Sequence, residues 1–256
     1  MTTSDTAVAV AAARAGAAVA LASWRTPVAR HGKGGIDFAT DADLASERAV
    51  RDTLREQRPD DAVTGEEYGT DGPDGPVERT WLVDPICGTL NYAAGTPLFA
   101  VNVALREGER VRVAAVAEPA SGEVFVTDGA RAWRDGSPAE PLRPDPDNRL
   151  VEVDLDRRAP RSQALLGQAA FHERYAPRAV STSLGLAWVA AGRFAGYVAD
   201  SDVSDSVHYA AGLALCRGAG CVVTDLDGGE VASGRGLLAA ADAATHRDLL
   251  GLVTGG

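Results

Sequence analysis

The sequence predicts a layered α/β protein, an αβαβα sandwich in which layers of helices alternate with sheets. Three observations lead to this fold class. Predicted helices alternate with predicted strands along the chain. Turn sequences at residues 107–109 and 119–122 join consecutive strands into an antiparallel meander. A chain of 256 residues is also long enough to bury a large core.

The N-terminal half, residues 1–145, is predicted to begin with two helices and to continue as a sheet. An alanine-rich segment predicts the first helix at residues 6–24, and a basic, glycine-rich loop follows at residues 26–35. The second helix covers residues 42–58 and ends at Pro59, because proline removes a helical hydrogen bond. The strands of this half are predicted at residues 62–64, 81–84, 99–105, 110–118, 123–127 and 131–133.

The C-terminal half, residues 146–256, is predicted to pack against the first half as one compact unit. A proline-rich, polar segment at residues 139–148 marks the boundary. Ser181, Thr182 and Ser183 are expected to cap the helix that follows them, because hydroxyl side chains accept hydrogen bonds from free N–H groups. Strands are predicted at residues 149–155, 178–180, 192–199, 221–224 and 236–240, and helices at residues 162–174, 184–191, 206–218 and 243–253.

Composition and charge exclude several classes of function. The net charge of −11 argues against binding to nucleic acid or to an acidic membrane surface. We expect no membrane span, and the N-terminus lacks the basic region and apolar core of a secretory signal. Three cysteines are too few and too irregularly placed for a disulfide framework. A protein of the reducing cytoplasm is therefore expected.

The chemistry is predicted to centre on one strand end. A short apolar strand ends on Asp84, and Pro85 is expected to stop it because proline has no N–H group to pair. Gly88 permits a sharp turn, after which Thr89 contributes a hydroxyl group. The thiol of Cys87 lies between them. A carboxylate, a thiol and a hydroxyl group thus leave one strand end, where α/β proteins place their chemistry.

This stretch resembles a metal-binding motif of the inositol monophosphatase family, Asp-Pro-Ile-Asp-Gly-Thr-x-Asn-Phe. At this place the chain carries Asp84-Pro85-Ile86-Cys87-Gly88-Thr89-Leu90-Asn91-Tyr92. Further segments that are similar to the family lie at residues 65–67, 118–125, 190–193 and 219–225. The resemblance covers nearly the whole chain. It implies a sandwich of the inositol monophosphatase and fructose bisphosphatase type, magnesium-dependent phosphatase chemistry and a homodimer.

The resemblance implies one complete magnesium site. The carboxylates of Glu66 and Asp84 and the carbonyl group of Ile86 would form it, and Thr89 would position water. The family also carries Thr-x-x-Asp near the start of the second helix. We assign its aspartate, which helps to hold a metal ion or water, to Asp41. From the residues alone, a helix cap is the better explanation of Asp41.

The second metal site of the family is altered in this chain. Where the resemblance implies two further aspartates, the chain carries Cys87 and His208. A thiol and an imidazole are poor ligands for magnesium. Four functions remain open: a phosphatase with an altered second site, an enzyme that binds Zn²⁺, an enzyme with a thiol nucleophile, and a non-catalytic binding module. Zinc would be held by Asp84, Cys87 and His208.

Of these four, we favour the thiol nucleophile. Cys87 is predicted to attack an ester or thioester, and His208 to act as its base, because a helix N-terminus favours neutral imidazole. Asp84 is expected to orient the imidazole, which completes a Cys-His-Asp triad. The predicted reaction is hydrolysis, acyl transfer or a Dieckmann-type ring closure in natural-product biosynthesis. Its substrate is a small or carrier-bound acyl compound, and no cofactor is expected.

Further groups are predicted to surround this triad. Backbone N–H groups near Gly88 and Thr89 are expected to hold an oxyanion. Asp200, Asp202 and Asp205 are alternative partners for His208. The predicted pocket residues are Asp41, Glu66, Gly88, Ser181, Thr182 and Asp205.

Overall fold

A computed structural model describes residues 3–73, 78–136, 138–156 and 159–255. The helices in these ranges are α1 (Asp5–Ser23), α2 (Asp41–Gln57), α3 (Thr89–Ala93), α4 (Pro160–Leu166), α5 (Ala169–Arg174), α6 (Leu184–Ala190), α7 (Val207–Ala219) and α8 (Ala243–Thr254). The strands are β1 (Arg30–Gly34), β2 (Asp37–Thr40), β3 (Ala62–Gly65), β4 (Gly69–Asp71), β5 (Arg79–Cys87), β6 (Ala100–Glu107), β7 (Arg110–Glu118), β8 (Glu123–Thr127), β9 (Ala132–Arg134), β10 (Glu140–Pro141), β11 (Leu150–Asp154), β12 (Ala176–Arg178), β13 (Gly196–Ala199), β14 (Val222–Thr224) and β15 (Leu237–Ala240).

The strands form one hairpin and two larger sheets. β1 pairs with β2 in an antiparallel hairpin. The eight-stranded sheet has the order β10-β9-β8-β7-β6-β5-β3-β4, and its neighbours are antiparallel except β3 and β5, which run parallel. The five-stranded sheet has the order β12-β11-β13-β15-β14. In that sheet β11 runs parallel to both of its neighbours, and the other pairs are antiparallel.

The helices and sheets form five layers. α1 and α2 lie on one face of the eight-stranded sheet, and Trp81 and Val83 of β5 point toward them. α6 and α7 fill the middle layer, between Leu82 on the other face of that sheet and Tyr197 on the smaller sheet. α4, α5 and α8 cover the outer face of the smaller sheet, around Val198. This arrangement confirms the predicted αβαβα sandwich.

α1 is more apolar than we expected from the sequence. By length and composition alone, its 19 residues would be able to cross a membrane. However, Val8, Ala9, Ala12 and Ala13 are fully buried in the core that α1 shares with α2 and the eight-stranded sheet. About one face of α1 therefore belongs to the core, and 33% of its most apolar stretch is buried.

The central strand β5 is longer than predicted, because Pro85 does not end it. The pairing of β5 with β6 shifts between Asp84 and Cys87, and this shift places Pro85 in a β-bulge. A bulged residue is left out of the regular ladder, so proline is tolerated there without the loss of a strand hydrogen bond. Asp84 and Cys87 consequently belong to the same strand end.

Two other local predictions are wrong, and a third, the capping of α6, is correct for Thr182 only. Residues 26–35, predicted as a loop, contain β1, which pairs with β2. The helix predicted at residues 162–174 is divided near Gly167 into α4 and α5. Of the three predicted capping residues, Thr182 accepts a hydrogen bond from the backbone N–H of Leu184 at 3.4 Å. Ser183 stands at the N-cap of α6, but the hydroxyl group of Ser183 caps no helical N–H. It donates instead to Oδ1 of Asn102, at 3.0 Å.

The predicted division near residue 145 falls between the two larger sheets. β10 is the last strand of the eight-stranded sheet along the chain, and β11 is the first strand of the five-stranded sheet. The separation into two halves at residues 1–145 and 146–256 stays a prediction.

The packing of α1 on α2 predicts a large effect of a side chain at Gly16. A Cβ atom there would lie 2.7 Å from Cγ2 of Val50 and 3.1 Å from Cγ1 of Val101. Gly16→Leu is therefore expected to lower the free energy of unfolding by about 1–3 kcal/mol, measured by urea denaturation. Ala18→Leu places the same side chain on the exposed side of α1 and should leave stability near the wild-type value. Equal stability of the two variants would contradict this packing.

Candidate functional site

Five of the predicted residues converge where the strand ends of the large sheet meet α7. Glu66 follows β3, Asp84 and Cys87 lie at the end of β5, Thr89 begins α3, and His208 lies in the first turn of α7. We call these five residues the strand-end site. The ligand atoms of Asp84, Cys87 and His208 lie within 4.8 Å of one another. Oε2 of Glu66 lies 3.9 Å from Nδ1 of His208.

Asp84 is fully buried at the centre of this site. Its Oδ2 lies 2.7 Å from Nδ1 of His208. Asn102, its neighbour across the β5–β6 pair, places Nδ2 at 3.5 Å from the same oxygen. The other oxygen, Oδ1, is buried and has no hydrogen-bond partner within the described part of the chain. An unpaired buried carboxylate oxygen is costly, and a cation would satisfy it.

Cys87 is held by the loop that precedes α6. The backbone N–H of Ser183 donates to Sγ of Cys87 at 3.2 Å. The hydroxyl group of Thr182 donates to the carbonyl oxygen of Cys87 at 2.9 Å. These two contacts fix both the side chain and the backbone of Cys87, so the thiol has one defined position beside Asp84.

Gly88 makes the turn from β5 into α3 possible. Its φ of +102° lies in the left-handed region that other residues rarely adopt. A Cβ atom at Gly88 would also lie 2.8 Å from the carbonyl oxygen of Leu98 and 3.3 Å from that of Ser181. Ser181 and Thr182 therefore pack against the turn, near the strand-end site, as predicted for pocket residues. Their roles in binding stay predictions.

Thr89 forms a buried pair with Asp43. Its hydroxyl group lies 3.0 Å from Oδ1 of Asp43 and 3.1 Å from the carbonyl oxygen of Ile86. Asp43 also accepts hydrogen bonds from the backbone N–H and the hydroxyl group of Thr40, which caps α2. Burial raises the pKa of Asp43 to about 6, although these hydrogen bonds lower it. The site thus contains a carboxylate in contact with a hydroxyl group.

The assignment of the family aspartate to Asp41 is wrong. Asp41 is exposed, and its carboxylate pairs with His31 at 2.7 Å, away from Thr89. Asp43 occupies the place that was predicted for Asp41. The sequence contained the signal, because Thr-x-x-Asp counted from Thr40 leads to Asp43. Two acids that are close in sequence point in different directions on a helix, and only one of them faces the sheet.

Glu66 is positioned by a second buried acid, Glu47 of α2. The carboxylate of Glu47 accepts hydrogen bonds from the backbone N–H groups of Glu67 and Tyr68, at 2.7 and 3.2 Å. A Cβ atom at Gly65 would lie only 2.0 Å from that carboxylate. Glycine is therefore required before Glu66, and Glu47 holds the backbone turn that presents the Glu66 side chain.

Lys33 of the β1–β2 hairpin also contacts the site. It is the only lysine in the chain. Its ammonium group lies 2.7 Å from Oε1 of Glu66 and 2.6 Å from Oε1 of Glu67. Although burial lowers the pKa of Lys33, the bonds to both glutamates raise it above its ordinary value on balance. The sequence showed a basic loop here, but contact with Glu66 depends on the unpredicted hairpin.

The charges of the site are strongly coupled. The pKa of Glu66 is raised to about 8, mainly by burial and secondly by the negative charge of Asp84. Burial also raises the pKa of Asp84, but the charge and hydrogen bond of His208 leave it below its ordinary value. Burial lowers the pKa of His208, whereas the charge and hydrogen bond of Asp84 raise it on balance to about 12. At neutral pH the pair is therefore a carboxylate and an imidazolium.

This protonation state contradicts the predicted role of His208 as a general base. The helix N-terminus carries about half a positive charge, which disfavours an imidazolium. Asp84 carries a full negative charge 2.7 Å from Nδ1 and outweighs the helix. The pKa of the Cys87 thiol is also raised above its ordinary value, mainly by burial and secondly by the negative charge of Asp84. A protonated base and a protonated thiol are unsuited to nucleophilic catalysis.

The remaining acids that were predicted near His208 point elsewhere. Asp205 has an exposed side chain that pairs with Arg106 at 3.0 Å, so its assignment to the pocket is wrong. Asp200 accepts a hydrogen bond from the backbone of Arg161, and Asp202 accepts one from Ser204. Asp84 therefore takes the position beside His208 that was predicted for it. Its orienting function in catalysis stays a prediction.

The donor atoms around Asp84 form two chemical sets, of which only one fits magnesium. Glu66, Asp84 and the carbonyl group of Ile86 provide oxygen ligands, which hard cations prefer, and Oδ1 of Asp84 lacks another partner within the described residues. The second set adds the sulfur of Cys87 and a nitrogen of His208 to Asp84, and these two donors suit magnesium poorly. The first set fits the metal that the family resemblance implied, and the second set does not.

A family model and individual relatives both match this chain over most of its length. A family model described as the inositol monophosphatase family matches residues 1–254. The inositol-1-monophosphatase ImpA of Mycolicibacterium smegmatis is 36% identical over 233 residues, which cover 86% of this chain and 82% of that protein. The Nus factor SuhB of Escherichia coli is 33% identical over 235 residues, which cover 87% of this chain and 85% of that protein.

The fold also matches a solved structure. The extragenic suppressor protein SuhB from Bartonella henselae superposes with a TM-score of 0.86 at 23% sequence identity. The match covers 97% of this chain and 98% of that chain. At this level of identity the likeness concerns the fold, and it agrees with the layered architecture described above.

The raised pKa of Cys87 predicts a slow reaction with iodoacetamide. At pH 7 alkylation of Cys87 should be at least about tenfold slower than that of the more accessible Cys221, because burial and the Asp84 carboxylate disfavour the thiolate. Peptide mapping by mass spectrometry measures both rates in one sample. In urea-unfolded protein the two rates should become similar. Rapid labelling of Cys87 in the folded protein would contradict the assigned protonation state.

Proposed function

The chain belongs to the inositol monophosphatase family of enzymes, and from this premise we propose that it is a magnesium-dependent phosphatase of a small phosphorylated polyol. ImpA, a relative with 36% identity, is named as an inositol-1-monophosphatase. We propose the same class of substrate, a phosphate monoester on a ring or chain of hydroxyl groups. The reaction is transfer of the phosphoryl group to water.

The prediction of thiol-dependent acyl transfer or ring closure is wrong. The family match over residues 1–254 and the relatives named above join the chain to phosphatases, not to acyltransferases or cyclases. The nucleophilic role of Cys87 and the catalytic triad are discarded with that prediction. The imidazolium state of His208 is the physical reason, since a group that already holds its proton accepts none from a thiol.

The expectation that no cofactor is needed is also wrong. Enzymes of the family to which the chain belongs depend on magnesium. The two residues that suggested chemistry without a metal, Cys87 and His208, alter one of the family's cation positions. They leave the oxygen donors of Glu66 and Asp84 intact.

One observation carries the proposal: the carboxylates of Asp84 and Glu66 both lie beside His208, at the strand end that also presents a buried hydroxyl–carboxylate pair. Glu66, Asp84 and the carbonyl group of Ile86 would hold the magnesium ion. Magnesium, when bound, neutralises phosphate charge and lowers the pKa of coordinated water. The hydroxyl–carboxylate pair is Thr89 with Asp43.

Thr89 is suited to position the attacking water. Its hydroxyl proton is directed to Oδ1 of Asp43 or to the carbonyl oxygen of Ile86. The oxygen of Thr89 keeps its lone pairs, and these accept a hydrogen bond from water. Asp43, with a pKa of about 6, is a base of suitable strength to receive a proton through Thr89 near neutral pH.

The turn at Gly88 supports binding of the phosphate group. Gly88 and Thr89 begin α3, and the first N–H groups of a helix have no acceptor within that helix. Phosphoryl oxygens accept hydrogen bonds from such groups. The predicted oxyanion-binding role of this turn is thus kept in the proposal, with phosphate in place of an acyl oxyanion.

The substrate, location and assembly follow from the same proposal. A small molecule is the substrate, and no carrier protein is required for it. We propose a cytoplasmic enzyme, in keeping with its three free cysteines and its net charge of −11. We also propose a homodimer, on the family resemblance alone.

The proposed function predicts phosphate release that requires the Thr89 hydroxyl group. With saturating Mg²⁺ and inositol 1-phosphate, Thr89→Val should lower kcat by at least about 100-fold, because water loses its acceptor. Thr89→Ser keeps the hydroxyl group and should recover most of the activity. A colorimetric assay of inorganic phosphate measures all three proteins. Equal rates for the valine and serine variants would exclude the proposed role of Thr89.

A matched pair on α2 separates Asp43 from Asp41. Asp43→Asn should lower kcat strongly, because the carboxylate that contacts Thr89 is lost. Asp41→Asn alters an exposed residue away from the site and should retain wild-type activity. Thermal unfolding of both variants checks that the Thr40 cap is intact.

If wild-type protein releases no phosphate from any of a panel of polyol monophosphates, the proposed function is wrong.

A further inference from the structure

We propose that Asp84, Cys87 and His208 form a binding site for a zinc-class divalent cation. The carboxylate oxygen, the sulfur and a ring nitrogen of these residues lie within 4.8 Å of one another. A tetrahedral ion with bonds of about 2.0–2.3 Å holds its ligand atoms about 3.3–3.8 Å apart, so small movements of these side chains close the cluster around an ion. Asp84 and Cys87 are buried, and His208 is partly exposed, so the cluster is open to solvent on one side.

The chemistry of the three donors selects the metal. Thiolate and imidazole ligands suit zinc, cobalt and related transition metals, whereas magnesium prefers oxygen ligands throughout. A set of one oxygen, one sulfur and one nitrogen is therefore selective against the abundant hard cations. Asp84 has two oxygens, and the one that is not beside His208 lacks a partner within the described residues. That oxygen is available to a cation as well.

Surrounding groups already orient the three ligands. The backbone N–H of Ser183 points at Sγ of Cys87 from 3.2 Å, a contact that stabilises a ligating thiolate. Asn102 donates to Oγ of Ser183 at 2.9 Å, and its amide lies 3.4 Å from the carbonyl oxygen of His208. The outer contacts of the three ligands thus meet at Asn102 and Ser183, both of which are buried.

Ion binding requires the loss of two protons. The thiol proton of Cys87 and the proton between Nδ1 of His208 and Oδ2 of Asp84 pass to solvent as the metal bonds form. Three protein ligands leave one position of a tetrahedral ion for water or a phosphoryl oxygen, as in catalytic zinc sites. Entry of a phosphoryl group at this position rests on the proposed phosphatase function. Binding of the cation does not, and it is measured without enzymatic turnover.

Cobalt(II) titration tests the proposal directly. With the wild-type protein and a reductant that does not bind metals, cobalt should bind and give a thiolate-to-cobalt charge-transfer band with strong visible bands of four-coordinate geometry. Zinc should abolish these bands by displacement, and a large excess of magnesium should not. Absorption spectroscopy records the spectra, and competition with a chromophoric chelator gives the zinc affinity.

Three variants make the test specific. Cys87→Ser should abolish the charge-transfer band and weaken zinc binding by at least about 100-fold, since a ligand contributes at least as much as an outer contact. Cys221→Ser removes a cysteine outside the site and should leave both unchanged. The double variant Cys87→Asp with His208→Asp should lose zinc selectivity and gain affinity for magnesium, measured by calorimetry. Circular dichroism confirms that each variant is folded.

The outcomes separate this proposal from the proposed function. Cobalt spectra without a thiolate band, or spectra that Cys87→Ser leaves unchanged, would overturn the zinc-class site, as would absence of zinc binding. If the wild-type protein then still releases phosphate with magnesium, the phosphatase proposal stands alone. A Cys87-dependent cobalt spectrum in a protein that hydrolyses no polyol phosphate would support the metal site and refute the phosphatase.

Discussion

The carboxylate of Asp84 is fully buried, and the contacts that compensate its negative charge organise the strand-end site. Transfer of a carboxylate from water to a protein interior costs several kcal/mol unless a counter-charge and hydrogen bonds compensate. His208, 2.7 Å away, supplies the counter-charge, and Asn102 approaches the same oxygen. Since Asp84 lies on β5, Asn102 on β6 and His208 on α7, this compensation ties the large sheet to the middle helical layer.

The local backbone of β5 determines which side chains reach Asp84. The bulge at Pro85 extends the strand to Cys87 instead of ending it, and Gly88 then turns the chain in a conformation that needs glycine. Thr89 consequently begins α3 and contacts Asp43 on α2. A single strand end thus directs Asp84 to His208, Cys87 to the backbone of Ser183, and Thr89 to Asp43.

Two sets of donors around Asp84 offer different chemistry. Glu66 and the carbonyl group of Ile86 provide oxygens, which hard cations prefer. Toward Cys87 and His208 the donors are softer. In the protein as described, an ion pair occupies that side, and the raised pKa of His208 follows from it. The same closeness that makes His208 unsuitable as a base makes the trio suitable as ligands for a transition metal.

Much of the architecture was predictable because it depends on local patterns. Helices α1, α2, α7 and α8 and the meander from β6 to β9 follow from burial patterns and turn residues, which act over a few positions. The convergence of Asp84, Cys87 and His208 was anticipated only through the family motif, since His208 is remote in sequence. The hairpin that carries Lys33 was missed, because its pairing with β2 left no clear pattern in a glycine-rich segment.

The alternation of helices and strands, the predicted strand end at Asp84 and the replacement of two family aspartates by Cys87 and His208 are all readable in the amino-acid sequence. Contacts between distant segments place Asp43 and not Asp41 against Thr89, pair Asp205 with Arg106 at the surface, and set His208 beside Asp84. The difference arises from the distance along the chain over which each kind of interaction acts. Propensity and burial patterns are set by neighbours along the chain, whereas pKa values and ligand sets are set by charges a few ångströms away in space.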